Sequence, residues 1–123
     1  MLKWKRGEEA VKTLLEEEKI ADAVRRIRKV AFSVLDFIEV FRSAYPAEWR
    51  RLSARFGRFG EKRRYTVATY LSNRLDLYSR KPGSLIRPFT RYREGKLKDY
   101  RRATREERRR FGSPWIALFR KTE

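Results

Sequence analysis

Val24, Ile27, Ala31, Val34, Ile38 and Phe41 recur at alternating steps of three and four residues, the spacing that places side chains on one face of an α-helix. A stripe of that length must be buried. It predicts a core helix over residues 21–44, widened by Leu35, Phe37 and Val40. A coiled-coil dimer seam would need more heptads than these. Residues 8–19, with Val11, Leu14 and Leu15, are predicted helical as well, and residues 1–20 are set apart as an N-terminal helical extension. The run Glu16-Glu17-Glu18 within it reads as a solvated face.

Tyr45-Pro46 ends the long helix, because a residue before proline is pushed out of the α region and proline suits the first turn of a new helix. That next helix covers residues 47–56, through Trp49, Leu52, Ala54 and Phe56, and stops at Gly57, with Gly60 marking a short turn. A further helix over residues 61–80 puts Val67, Leu71, Leu75 and Tyr78 on one side and Lys62, Thr66, Thr69, Asn73 and Asp76 on the other. Pro82-Gly83 terminates it. Leu85, Ile86, Phe89, Thr90 and Tyr92 favour strand and lead into Arg93-Glu94-Gly95-Lys96, so residues 85–102 read as a β-hairpin. A two-residue Glu94-Gly95 turn would set Tyr92 against Leu97, Arg91 against Lys98 and Phe89 against Tyr100. Residues 104–110 predict a short helix, and Trp115, Ile116, Leu118 and Phe119 then dock back on the domain or meet a partner.

The charge narrows the function. Among 123 residues, 33 Lys and Arg face 16 Asp and Glu, a formal net charge of +17. An excess of this size repels itself and persists where a polyanion compensates it by counterion release. It is graded along the chain: residues 61–90 carry 7 basic and 2 acidic groups, and residues 91–123 carry 12 and 5. With 41% hydrophobic and 14% aromatic residues the chain can still bury the core of one domain.

There is neither Cys nor His, which removes thiol nucleophiles, disulfides, the usual zinc ligands and the commonest general base. Asp76 with Glu94-Gly95-Lys96 has the residue types of a metal-dependent nuclease, but Glu94 falls in an exposed turn where neither acid nor metal would be held rigidly. No enzyme, metal or cofactor is therefore expected. No apolar run approaches the roughly 18 residues of a membrane span, and the charged start runs into Glu8 and Glu9. The expectation is a cytoplasmic protein with no membrane partner.

In order, the elements are a core helix, a short helix, a glycine turn, a longer helix, a basic hairpin and a closing helix. That order, carried by Leu52-Ser53-Ala54-Arg55-Phe56-Gly57, by the stretch from Thr66-Val67-Ala68-Thr69 to Asn73-Arg74-Leu75, and by Gly83-Ser84-Leu85-Ile86, resembles the winged helix-turn-helix superfamily over about residues 31–111. The expected fold is thus mainly α with a small β-hairpin: a winged helix-turn-helix domain at 21–111, the N-terminal helical extension, and an apolar and basic C-terminal tail at 112–123. The turn at residues 57–64 exceeds the common three or four residues.

The resemblance implies that the helix at 61–80 enters a DNA major groove, with Thr66, Thr69 and Asn73 toward base edges and Lys62, Arg63 and Arg64 on phosphates. Arg91, Arg93, Lys96 and Lys98 of the wing, and Arg105, Arg108, Arg109 and Arg110 beyond it, would hold the backbone. Double-stranded DNA is the expected partner, of a regulator or nucleoid protein that is a possible homodimer. The alternative is rRNA in a ribosomal or ribosome-associated protein with ribosomal-protein neighbours, where Phe59, Tyr65, Phe89, Tyr92 and Tyr100 could stack on unpaired bases.

Overall fold

A computed structural model describes residues 14–57 and 65–122. Five helices, a three-stranded antiparallel sheet and a two-stranded hairpin make up the described chain: α1 (Glu17–Arg26), β1 (Ala31–Ser33), α2 (Val34–Ala44), α3 (Pro46–Phe56), α4 (Val67–Ser79), β2 (Tyr92–Arg93), β3 (Lys96–Leu97), β4 (Tyr100–Arg102), α5 (Arg105–Phe111) and β5 (Trp115–Arg120). The expectation of a mainly α chain with a small β component holds. Among the described residues no helix is long and apolar enough to cross a membrane.

The single helix expected over residues 21–44 is two helices with a strand between them. Ser33 restarts the helix through a capping box. Its hydroxyl accepts the Asp36 N–H at 3.2 Å, and the Asp36 carboxylate accepts the Ser33 N–H at 2.9 Å. A continuous helix would also strand Phe32 outside the apolar stripe. As a strand residue Phe32 is buried and stacks on Phe119 at 5.8 Å, while Ala31, a member of the stripe, faces solvent. Ile27 and Val34 are nonetheless both buried, so two separate elements reproduce the helical spacing.

Pro46 occupies the first turn of α3, as the sequence predicts. The Tyr45 hydroxyl at this junction donates to Asp22 at 2.6 Å and ties α1 to it. α3 ends at Gly57, whose φ of 86° suits glycine. The Gly57 carbonyl accepts the Val67 N–H at 3.0 Å, and Phe56 stacks on Tyr70 at 4.5 Å. The two ends of the α3–α4 connection are therefore held together whatever its length. α4 begins at Val67 rather than near residue 61, because Tyr65 and Thr66 are not helical and Thr66 is the N-cap; residues 61–64 lie outside the described residues.

Val67, Leu71, Leu75 and Tyr78 of α4 pack with Phe37 and Phe41 of α2 and Leu52 of α3 in one core. Each such side chain contributes roughly 1.5–3 kcal/mol on burial. Leu15 and Ile20 belong to the same core, and Arg74 donates to the Leu15 carbonyl at 3.0 Å. The described part of the expected N-terminal extension thus packs on the domain, and α1 runs across the boundary placed at residue 20.

The segment set apart as a tail, 112–123, contains the middle strand of the sheet, whose order is β1-β5-β4 with both pairings antiparallel. Trp115-Ile116-Ala117-Leu118-Phe119 is a continuous apolar run, and Ile116, Ala117 and Phe119 of it are buried. Residues 85–87 continue along its far end, with Arg87 N–H donating to the Arg120 carbonyl at 2.8 Å. The apolar residues expected to dock back on the domain do so as this strand, and the domain therefore runs past the boundary placed at residue 111.

Candidate nucleic-acid interface

β2 and β3 form a hairpin in the expected register, Tyr92 against Leu97 and Arg93 against Lys96, but it is shorter than the one expected over residues 85–102, because Ile86 and β4 pair with the strand at the C-terminal end instead. Glu94 and Gly95 have φ of 53° and 78°, the doubly positive turn whose twist matches that of the flanking strands. The pairing continues through the Lys98 N–H to the Arg91 carbonyl at 2.9 Å and the Asp99 N–H to the Thr90 carbonyl at 3.0 Å. Like charges placed directly opposite on a hairpin are destabilising. Arg93 and Lys96 are such a pair, exposed at the tip, and neither has an acidic partner among the described residues. Lys98 lies 3.8 Å from Asp99.

α5 projects from the strand ladder with no buried residue of its own. Two local devices hold it. Thr104 caps its start, accepting the Glu107 N–H at 3.1 Å while Glu107 accepts the Thr104 N–H at 2.9 Å. Arg101 of β4 then grips the same carboxylate with both guanidinium nitrogens, at 2.8 and 2.9 Å. The Arg101 fork, helped by the Thr104 backbone, lowers the Glu107 pKa from an ordinary 4.5 to about 2. Gly112 closes the helix in a left-handed conformation. Arg108, Arg109 and Arg110 occupy the last turn, where the helix dipole favours cations. Arg109 approaches Glu106 at 3.7 Å, whereas Arg105 and Arg108 have no acidic partner among the described residues.

The candidate recognition helix contributes differently from expectation. Thr66 is buried as the N-cap of α4, so its side chain serves the helix rather than a ligand. Thr69 accepts the Thr66 N–H at 3.4 Å. Asn73 bridges two elements, donating to the Tyr65 hydroxyl at 3.3 Å and accepting from the Arg91 guanidinium at 3.2 Å. The hairpin is thereby fastened to the helix. Within α4 the charged residues are Arg74, turned to the Leu15 carbonyl, and Asp76, paired with Arg80 at 2.7 Å. The described helix supplies polar groups and shape, and the charge comes from the hairpin and α5. Lys62, Arg63 and Arg64 lie outside the described residues.

Thr69, Asn73 and Arg91 meet around a cavity of about 220 Å³ whose opposite side is built by β4, β5 and the end of α5. Phe111 in that wall and Ser72 of α4 were not among the residues expected to bind, and Trp115 was expected only to dock back on the domain or meet a partner. Arg102 lies over the Trp115 ring at 5.1 Å, its cross-strand partner in the ladder. Their juxtaposition depends on β4 and β5 pairing around α5, which no local pattern encodes. Of the aromatics considered for stacking, Tyr65 and Tyr92 are exposed, whereas Phe89 is buried edge-on against Tyr100 at 5.3 Å and belongs to the core. Phe59 lies outside the described residues. Comparison with family models, with curated proteins and with solved structures finds no match to this chain.

Proposed function

We propose that this chain is a non-enzymatic nucleic-acid-binding protein of winged-helix type, which grips the phosphate backbone of double-stranded DNA with its hairpin and α5. The observation that carries the reading is the cluster of solvent-facing cations lacking acidic partners on the hairpin and α5. Arg93, Lys96, Arg105 and Arg108 face solvent without an acidic partner among the described residues; Arg25, Arg28, Arg42, Arg50 and Arg55 of the helical body do so too, beside the paired Lys19, Arg26, Arg51 and Lys81. Side chains in that arrangement gain most from displacing counterions on a polyanion. The order of three helices, a basic hairpin and a strand returning to pair beside β1 supports the winged-helix comparison. In this reading α4 offers Thr69 and Asn73 to a groove while the hairpin and α5 set the register on phosphates. Exposed Tyr65 and Tyr92 favour the second reading, rRNA with unpaired bases.

The test is anisotropy titration of duplex DNA and of a stem-loop RNA across roughly 50 to 200 mM salt. The wild-type protein should lose affinity steeply as salt rises. Changing Arg108, Arg109 and Arg110 together to Ala should lower the logarithmic salt slope by up to about three, since each lost phosphate contact removes roughly 0.7 to 0.9 units. Tighter binding of duplex DNA supports the first reading and of RNA the second. Binding to neither, or an unchanged slope in the triple variant, overturns the assignment.

A further inference from the structure

The cavity beside α4 lies next to the proposed backbone grip, with Arg91 at the foot of the hairpin and Phe111 at the end of α5 among its lining residues. Its volume of about 220 Å³ falls below the roughly 300–1,000 Å³ of pockets for drug-sized molecules, which is the scale of a single flat ring system. Its two sides differ in chemistry. β4, α5 and β5 contribute Tyr100, Phe111 and Trp115, and α4 contributes Thr69, Ser72 and Asn73. One side offers aromatic surface and the other hydroxyl and amide groups. Trp115 keeps 38% of its surface exposed although its strand is the middle one of the sheet.

The charge around the cavity selects further. Arg91 lines it and Arg102 lies over the Trp115 ring, while no carboxylate is among its lining residues. The larger groove beside α1 has the opposite character, being lined by Glu16, Glu17, Glu18 and Asp22. The small cavity therefore suits a flat, hydrogen-bonding group joined to an anion.

We propose that this cavity takes one unpaired nucleobase from the nucleic acid gripped by the hairpin and α5. The inference rests on the nucleic-acid reading above and adds a site to it. An extruded base stacks on the Trp115 indole, its edge meets the hydroxyls and amide of α4, and its flanking phosphates face Arg91 and Arg102. Aromatic stacking is tolerant of base identity, so the site selects an unpaired nucleotide rather than a particular sequence.

The experiment uses the full chain and four labelled probes: a fully paired duplex and the same duplex with a one-nucleotide bulge, each as DNA and as RNA, with 2-aminopurine at the bulge. The bulged probe of at least one nucleic acid should bind roughly five- to a hundred-fold tighter than its paired counterpart, with a change in 2-aminopurine emission; the arm showing it identifies the source of the base. Trp115→Leu should abolish that preference while paired duplex still binds. Ser72→Phe, which fills the cavity from the α4 side and keeps every aromatic wall, should do the same and guards against misfolding of the first variant. If paired duplex binds but a bulge brings no advantage, or the advantage survives both substitutions, the base site is wrong and the backbone grip stands. If no probe binds, both readings fall.

Discussion

Glu107 is the residue on which the ordering of α5 depends. A seven-residue helix with no fully buried side chain lies well below the length at which helices persist alone, so its order rests on tertiary and capping contacts, among them the cap, the Arg101 fork and half-buried Phe111. Because folding lowers the Glu107 pKa from 4.5 to about 2, its contribution is fully present above pH 4.5 and fades as pH falls through that interval. The amide protection factors across residues 105–111, taken against the intrinsic exchange rate at each pH, should fall between those pH values while those of the α4 core persist. Glu107→Gln keeps a cap acceptor but loses the charged fork, and it should show the faster exchange at neutral pH. Slow exchange in that variant would mean that another contact orders the helix. The sequence displayed the Thr104 to Glu107 spacing, and the short helix is legible from it. The Arg101 fork is not, since it joins a strand to a helix across a turn.

At the scale of elements, the interruption at β1 decides the architecture. Phe32→Ala removes a buried ring stacked on Phe119 and should cost about 3–5 kcal/mol in chemical denaturation. Were residues 21–44 one helix, Phe32 would lie off the apolar stripe and the same change would be nearly neutral. β5 makes a second prediction. It is paired on both sides and carries Ile116 and Phe119 into the core, so a chain ending at residue 111 should lose its cooperative unfolding transition, as seen by near-ultraviolet circular dichroism. A truncated chain that melts cooperatively would remove β5 from the core. Local chemistry explains which elements were legible. The Tyr45-Pro46 junction, the Glu94-Gly95 hairpin and the α5 cap are each written within a few residues. β1 and β5 pair across more than eighty residues, and their sequences reveal that only as one stray Phe and one unbroken apolar run. The cavity was hidden for the same reason, because Ser72, Phe111 and Trp115 meet only once that ladder has formed.

The whole molecule carries an electrostatic imbalance whose sign can be tested without any ligand. Exposed ion pairs such as Arg109–Glu106 are worth about 0–1 kcal/mol each, and salt weakens them. Repulsion among the unpaired cations of the hairpin and α5 is also weakened by salt, as the screening length falls from about 10 Å at 0.1 M to about 3 Å at 1 M. With +17 over 123 residues, repulsion is the larger of the two. The melting temperature should therefore rise with added salt, and a duplex bound to the hairpin and α5 should raise it further by the linkage of binding to folding. Changing Arg108, Arg109 and Arg110 to Ala should shift the free protein the same way, giving a higher melting temperature at low salt, a smaller gain on adding salt, and weaker binding. A melting temperature that falls with salt would mean that ion pairs dominate, and the cations of α5 would then be part of the fold's own cohesion. The expected rise places them instead as groups that destabilise the free protein and are compensated only when a polyanion arrives.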